Sequence, residues 1–233
     1  MNNIIQNTIE YVKQTLNHDT SGHDWLHIQR VYRMALTIME NEKQCHSLSV
    51  ELGALLHDIA DWKFHGDHEA GPRTAKMFLE KQHLDNETIS HVCQIIREVS
   101  FKGAGVTDEP SSLECKIVQD ADRLDALGAI GIARVFAYGG YIKQPIYDPT
   151  VKLEFHTNFE QYKNKKTTSL NHFYEKLVLL KDRMHTLTAK KIAEQRHRYM
   201  LIYLQTLHEE IGLEVEQLQQ TKPVNNNDEL ITE

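Results

Sequence analysis

Apolar residues recur along this chain at intervals of three and four, and no segment shows convincing strict alternation. That is the period of helices with one buried face, so the pattern predicts an all-α fold. Ile5, Ile9, Val12 and Leu16 mark a first helix, followed by a loop at 17–22. Trp25, Ile28, Val31, Tyr32, Ala35, Ile38 and Met39 mark a second, longer one. Val50, Leu52, Ala54, Leu55 and Leu56 form a dense apolar helix that runs straight into His57-Asp58. Gly71-Pro72 opens the next helix, because Pro suits a first turn. Another is expected from about 87 to 100, ahead of a break at Gly103 and Gly105. Ser111 with Glu114 reads as a capping box. It would start a helix that carries Asp120, Asp122 and Asp125.

Gly139-Gly140 ends the following helix, and residues 141–158, with Pro145 and Pro149, read as a long loop of the kind that often forms lids or binding loops. Two long helices are expected at about 168–182 and 186–218, and a disordered tail at 219–233. The expected organisation is one helical domain over 1–218, including a C-terminal helical extension. Those last helices either pack on the domain or build a homodimer.

A chain of 233 residues buries a real core without metal or disulfide staples, so a metal here would be functional rather than structural. The net charge of −7 argues against a nucleic-acid partner but not against a small anion held by a local cationic cluster. The three cysteines are odd in number and lack a CxxC pair, which suits a reducing compartment. No basic-then-apolar leader opens the chain, and no apolar run approaches the roughly 20 residues of a membrane span. A cytoplasmic location with no membrane partner is the expectation.

The chemistry concentrates at three places. His57-Asp58 closes the apolar helix, and a buried imidazole beside a carboxylate needs a hydrogen-bond partner or a metal. With 14 histidines in the chain, such a dipeptide alone says little. Upstream, "GHDWLHIQRV" puts His23, His27 and Arg30 on one helical face. Downstream, "QDADRLDALG" puts Asp122 and Asp125 on another, with Asp120 as a rival. Imidazoles and carboxylates gathered from three helices suit a divalent first-row ion in octahedral geometry with water in the open positions.

The order His27, His57-Asp58, Asp122 resembles the H…HD…D signature of the HD superfamily of metal-dependent phosphohydrolases. "GHDWLHIQRV", "LLHDIADWK" and "DADRLDALGAIGIAR" resemble its bacterial YpgQ/YedJ-like branch, over roughly residues 1–210. The resemblance implies an HD-domain helical bundle. It implies His27, His57, Asp58 and Asp122 as ligands of one divalent ion, with Mn first and Ni, Co, Fe or Mg as alternatives. Asp122 is preferred because it lies in the "AD" dipeptide that the family uses. Asp125 is either an orienting partner of a ligand His or a solvated carboxylate.

Asp61 shares a helical face with His57 and Asp58 if that helix continues, and it matches an acidic position after HD in some superfamily hydrolases. It is the expected general base or water-orienting residue. Two-metal members carry further His ligands. His68 resembles the first, but Arg97-Glu98 stands where a later His pair would be, which weighs against a second tightly bound metal. His23, Arg30, Lys63, His65, His68, Arg97 and Lys102 are the candidate phosphate contacts, and Arg123 lies near the same motifs. No Walker-type loop is present to cradle phosphates instead. His91, on an apolar helix, reads as a partly buried residue with a satisfied ring. Phe136, Tyr138, Tyr141 and Tyr147 are either a base-stacking wall or core and dimer contacts.

The branch resemblance implies hydrolysis of a nucleotide phosphoanhydride bond, with a nucleoside triphosphate giving monophosphate and pyrophosphate. The alternatives are another HD activity, on nucleoside monophosphates or guanosine tetraphosphate, or a non-catalytic metal-containing nucleotide-binding protein.

Overall fold

A computed structural model describes residues 2–16, 24–42, 44–60, 67, 69–100, 109–154 and 167–212. Among these residues the fold is all-α, with no strand. The helices are α1 (Asn2–Thr15), α2 (Trp25–Met39), α3 (Ser47–Leu56), α4 (Ala70–Lys81), α5 (Asn86–Val99), α6 (Leu113–Asp125) and α7 (Gly128–Tyr141). After them come α8 (Ser169–Glu175), a 3₁₀ turn (Leu177–Arg183) and α9 (Leu187–Glu210).

Helix α3 is the centre. It packs against α1, α2, α5 and α6. Its sequence, SLSVELGALL, is mostly apolar and is buried from Leu52 to Leu56, with Glu51 half-buried as the acceptor of the Tyr32 hydroxyl. Val50 and Ala54 join a cluster with α2, α6 and the C-terminal helices, while Leu52, Leu55 and Leu56 join a second cluster with α1, α4 and α5. Gly53 makes the α3–α5 approach possible, because a side chain there would meet Ile95 Cγ2 at 2.9 Å. His57 follows directly with helical backbone angles, so the end of the buried helix delivers His57-Asp58 into the interior.

The caps set the phase of the other elements. Asp24 caps α2 by accepting from the His27 backbone amide at 2.9 Å, which fixes the turn that carries His27. The cap of α6 is Ser112, not Ser111: its hydroxyl accepts from Cys115 N at 3.1 Å. The expected capping box fails because tertiary partners claim both of its members. Ser111 donates to Glu98, and Glu114 accepts from the His46 amide.

The expected helix over 168–182 is broken at Lys176, where φ is −138°. The chain resumes as a 3₁₀ turn, whose spacing of three puts Leu177 and Leu180 on one buried face. Thr186 then caps α9, which packs on α6, α7 and the 3₁₀ turn, so within the described residues the C-terminal helices lie on the domain. Phe136 and Tyr147 pack against the core and Tyr141 is exposed, so the proposed aromatic wall is divided. Among the described residues no helix is long and apolar enough to cross a membrane. Residues 155–158 of the long loop, residues 159–166 and the segment 213–233 lie outside the described residues.

Candidate metal centre

Three elements meet behind α3. Helix α2 brings His27, the end of α3 brings His57 and Asp58, and α6 brings Asp122. His27 Nε2 lies 3.2 Å from His57 Nε2, 3.4 Å from Asp58 Oδ2 and 3.5 Å from Asp122 Oδ1. His57 Nε2 lies 3.5 Å from Asp58 Oδ2 and 3.7 Å from Asp122 Oδ1. Bonds of about 2.0–2.2 Å to a first-row ion place neighbouring donor atoms roughly 3.0–3.6 Å apart. Four of the five spacings fall in that range, and the fifth, 3.7 Å, lies just above it. They also explain how two imidazole nitrogens can face each other so closely.

The tautomers agree. Asp125 Oδ2 lies 2.7 Å from His27 Nδ1, and a carboxylate only accepts, so Nδ1 is the donor. His57 Nδ1 likewise donates to the Ala54 carbonyl at 2.9 Å. With the proton on Nδ1, each ring turns Nε2 toward the other and toward Asp122, and Asp58 Oδ2 lies against both. Donor atoms packed this closely repel one another unless a cation sits among them. His27 is fully buried whereas the Asp122 side chain is 30 % exposed, so the centre is closed behind His27 and open beside Asp122. Oxygen and nitrogen donors with an open side describe a catalytic site rather than a closed structural zinc.

Behind His27 stands Asp125. It accepts from Arg30 Nε at 2.7 Å and Arg30 Nη2 at 3.0 Å, and from Arg134 Nη1. Burial alone would raise its pKa. The hydrogen bonds from His27 and Arg30, with the charges of His27 and Arg134, outweigh this and hold the carboxyl well below the ordinary carboxylate range. It stays ionised and fixes the His27 tautomer, as an orienting partner of a ligand imidazole should. For His27 itself, burial and then the Arg134 charge press the pKa down, but bonds to Asp125 and Asp58 more than compensate and raise it. A proton and a divalent ion then compete for the same nitrogen, and metal binding strengthens as pH rises.

Arg134 is the residue that sequence reasoning missed. Its Nη1 also stands 2.7 Å from His27 Nδ1. The available signal was its isolation: it is the one charged side chain in the otherwise apolar helix α7.

The rival Asp120 points elsewhere. It is buried, and it accepts from the backbone amides of His185 and Thr186 and from the Thr186 hydroxyl. It is neither solvated nor near the ligands; it anchors the start of α9 to α6. Arg123, grouped with the cations near the motifs, is also buried and donates to the Arg183 carbonyl at 2.7 Å, because α6 turns it toward the 3₁₀ turn. His91 hydrogen-bonds Ser112 Oγ at 3.1 Å, as a satisfied partly buried ring. Among the candidate phosphate contacts, Arg30 commits Nε and Nη2 to Asp125. Arg97 pairs with Glu69 at 2.9 Å on the exposed ends of α5 and α4. Asp61, His23, Lys63, His65, His68 and Lys102 lie outside the described residues.

The HD domain matches residues 25–127, a span that contains His27, His57, Asp58 and Asp122. The chain belongs to the HD superfamily. Bacillus subtilis YpgQ is 35% identical over 215 residues, covering 88% of this chain and 93% of that protein. An HD-superfamily hydrolase from Bacillus thuringiensis is 43% identical, with a TM-score of 0.68 over 91% of this chain and 99% of that one. The structure of Bacillus subtilis YpgQ in complex with ADP aligns with a TM-score of 0.67 and 32% identity, covering 89% of this chain and 97% of that one.

Proposed function

We propose that this protein hydrolyses nucleotide phosphoanhydride bonds with one divalent ion, Mn²⁺ first among the choices, held by His27, His57, Asp58 and Asp122. The substrate class is the nucleoside triphosphates, cleaved to monophosphate and pyrophosphate. The observation that carries the reading is the convergence of His27, His57 and Asp122 in an open site, with Asp58 against both imidazoles and the His27 ring oriented from behind. Two findings support the reading: YpgQ was crystallised with ADP, which favours a nucleotide, and the Bacillus thuringiensis relative is an HD-superfamily hydrolase, which favours hydrolysis.

When bound, the ion supplies Lewis acidity, lowering the pKa of a water and drawing charge from a phosphoryl oxygen. The chain's own residues do the rest. Asp125 and the Ala54 carbonyl keep both ligand imidazoles in the tautomer that binds a cation. Asp61 takes the proton as water attacks the α-phosphorus. The bond from that phosphorus to the bridging oxygen breaks, and pyrophosphate leaves. Lys63, Lys102, Arg97, His23, His65 and His68 supply hydrogen bonds to the phosphates, while Arg30 stays with Asp125. Arg97 is available because its bond to Glu69 is an exposed pair in competition with water, and a phosphate dianion can replace the carboxylate.

The test is a phosphate-release assay coupled to inorganic pyrophosphatase, run on a panel of nucleoside mono-, di- and triphosphates with Mn²⁺. Signal from triphosphates that depends on the coupling enzyme supports the reading. No product from any nucleotide with any first-row ion would leave a nucleotide-binding protein instead.

A further inference from the structure

A second cationic site lies beside the metal centre and shares none of its ligands. A cleft of about 360 Å³ runs between α2, the end of α6, the start of α7 and α9. Arg30, Arg33 and Arg196 line it, with Met34, Leu127 and Ile130 among its apolar walls. Neither His27, His57, Asp58 nor Asp122 contributes to it. The size is within the range of small-molecule sites, roughly 300–1,000 Å³.

The charges in this cleft are not balanced. Asp125 is the one acidic side chain lining it, and that carboxylate is already held by Arg30, Arg134 and His27. Arg33 is exposed, and its guanidinium has no hydrogen bond or ion pair among the described residues. Arg196 is half-buried. It donates Nη1 to the Leu124 carbonyl and meets no carboxylate within hydrogen-bond distance among the described residues. The charge of Asp125 acts on it across the cleft, but that carboxylate is already shared among Arg30, Arg134 and His27, so an added anion improves the balance. Arg30 keeps Nη1 unused, since Nε and Nη2 serve Asp125.

The backbone is shaped around this arrangement. Gly128 has φ +74°, a conformation that disfavours side chains, and a Cβ there would meet Arg196 Cγ at 3.1 Å. Glycine thus lets Arg196 lie flat across the start of α7, at the wall of the cleft.

We infer that this cleft binds a diphosphate group, free or as an organic ester, at a site distinct from the metal centre. One phosphate suits Arg33 and the free edge of Arg196, and the second reaches Arg30 Nη1. Planar guanidinium forks match phosphate oxygens in pairs. Met34, Leu127 and Ile130 offer an apolar surface to an organic group on the ester.

The experiment is a calorimetric titration of methylenediphosphonate, which cannot be hydrolysed, into the full-length metal-loaded protein. Arg33→Glu is the decisive variant, because Arg33 is exposed and holds nothing else. The expected result is two binding events: one at the metal centre that the variant leaves unchanged, and one at the cleft weakened at least about ten- to hundredfold, the worth of a lost charge-assisted hydrogen bond. Melting temperature, metal content and turnover should be unchanged, and Arg33→Lys should recover part of the affinity. An isotherm that is the same in wild type and Arg33→Glu overturns the proposal. So does a loss in Arg33→Glu that comes with loss of metal. Repeating the titration with α,β-methylene-ADP distinguishes an esterified ligand, which binds more tightly, from the free anion.

Discussion

Two of the buried carboxylates on helix α6, Asp120 and Asp125, sit in opposite surroundings. Asp125 is gripped by Arg30, Arg134 and His27, which overcome the effect of burial and hold it well below the ordinary range. Asp120 is held by two backbone amides and a hydroxyl, and there burial prevails, pushing its pKa up to about 6. One carboxylate faces α2 and orients a metal ligand; the other faces the start of α9 and ties the C-terminal helices to the core. The acidic cluster DADRLD therefore divides its labour by helical phase. Asp122, between the two in sequence, is the residue that reaches the open side of the metal centre.

The comparison breaks most clearly in a pair of substitutions. Asp122→Ala should abolish metal binding and turnover together. Asp120→Ala should keep the metal stoichiometry but lower stability by roughly 1.5–3 kcal/mol, the worth of hydrogen bonds to a charged acceptor. Metal analysis and thermal melts on the two proteins decide it, and the account fails if the roles are exchanged.

The next effect separates binding from chemistry. Asp61→Ala should retain the metal while turnover falls by about 10²–10⁴-fold, the usual contribution of a positioned acid or base. Wild-type turnover in that variant removes Asp61 from the mechanism.

Asp125→Asn sharpens the comparison further. The ligands stay, but the orienting charge behind His27 goes, so Mn²⁺ affinity should weaken about 10–100-fold. Unchanged affinity would reduce Asp125 to a packing role.

The smallest effect is in pH dependence. Asp120 is raised in the folded state, so its contribution to stability is present below about pH 4 and lost as pH rises through about 6. Asp125 is depressed, so its contribution is present above the ordinary carboxylate range and lost as pH falls below it. In melts of the chelated protein, Asp120→Asn should remove a decline between pH ~4 and ~6, and Asp125→Asn should remove a loss on the acid side of it. Identical slopes in both variants would erase the distinction.

Much of this was legible in the sequence, and the gaps have physical causes. Helical period and capping chemistry are local, so α1 to α7 and the start of α9 could be placed in advance. Ligand order is also a sequence property, which is why His27, His57, Asp58 and Asp122 stood out together. Tertiary competition is not local. Nothing in SSLEC says that Glu98 and the His46 amide claim Ser111 and Glu114, so the cap was placed one residue early. Nothing near Arg123 says that it turns inward to the Arg183 carbonyl, or near Asp120 that it meets the start of α9. Arg134 lies far along the chain from His27, and only the fold brings the two together.

The central claim is that four named side chains hold one divalent ion, and anomalous diffraction from crystals grown with Mn²⁺ tests it most directly. The account predicts one peak about 2.0–2.3 Å from His27 Nε2, His57 Nε2, Asp58 Oδ2 and Asp122 Oδ1, with water in the remaining positions. No peak among these atoms, or a peak ligated by Asp120 or Asp125 in place of Asp122, would contradict it.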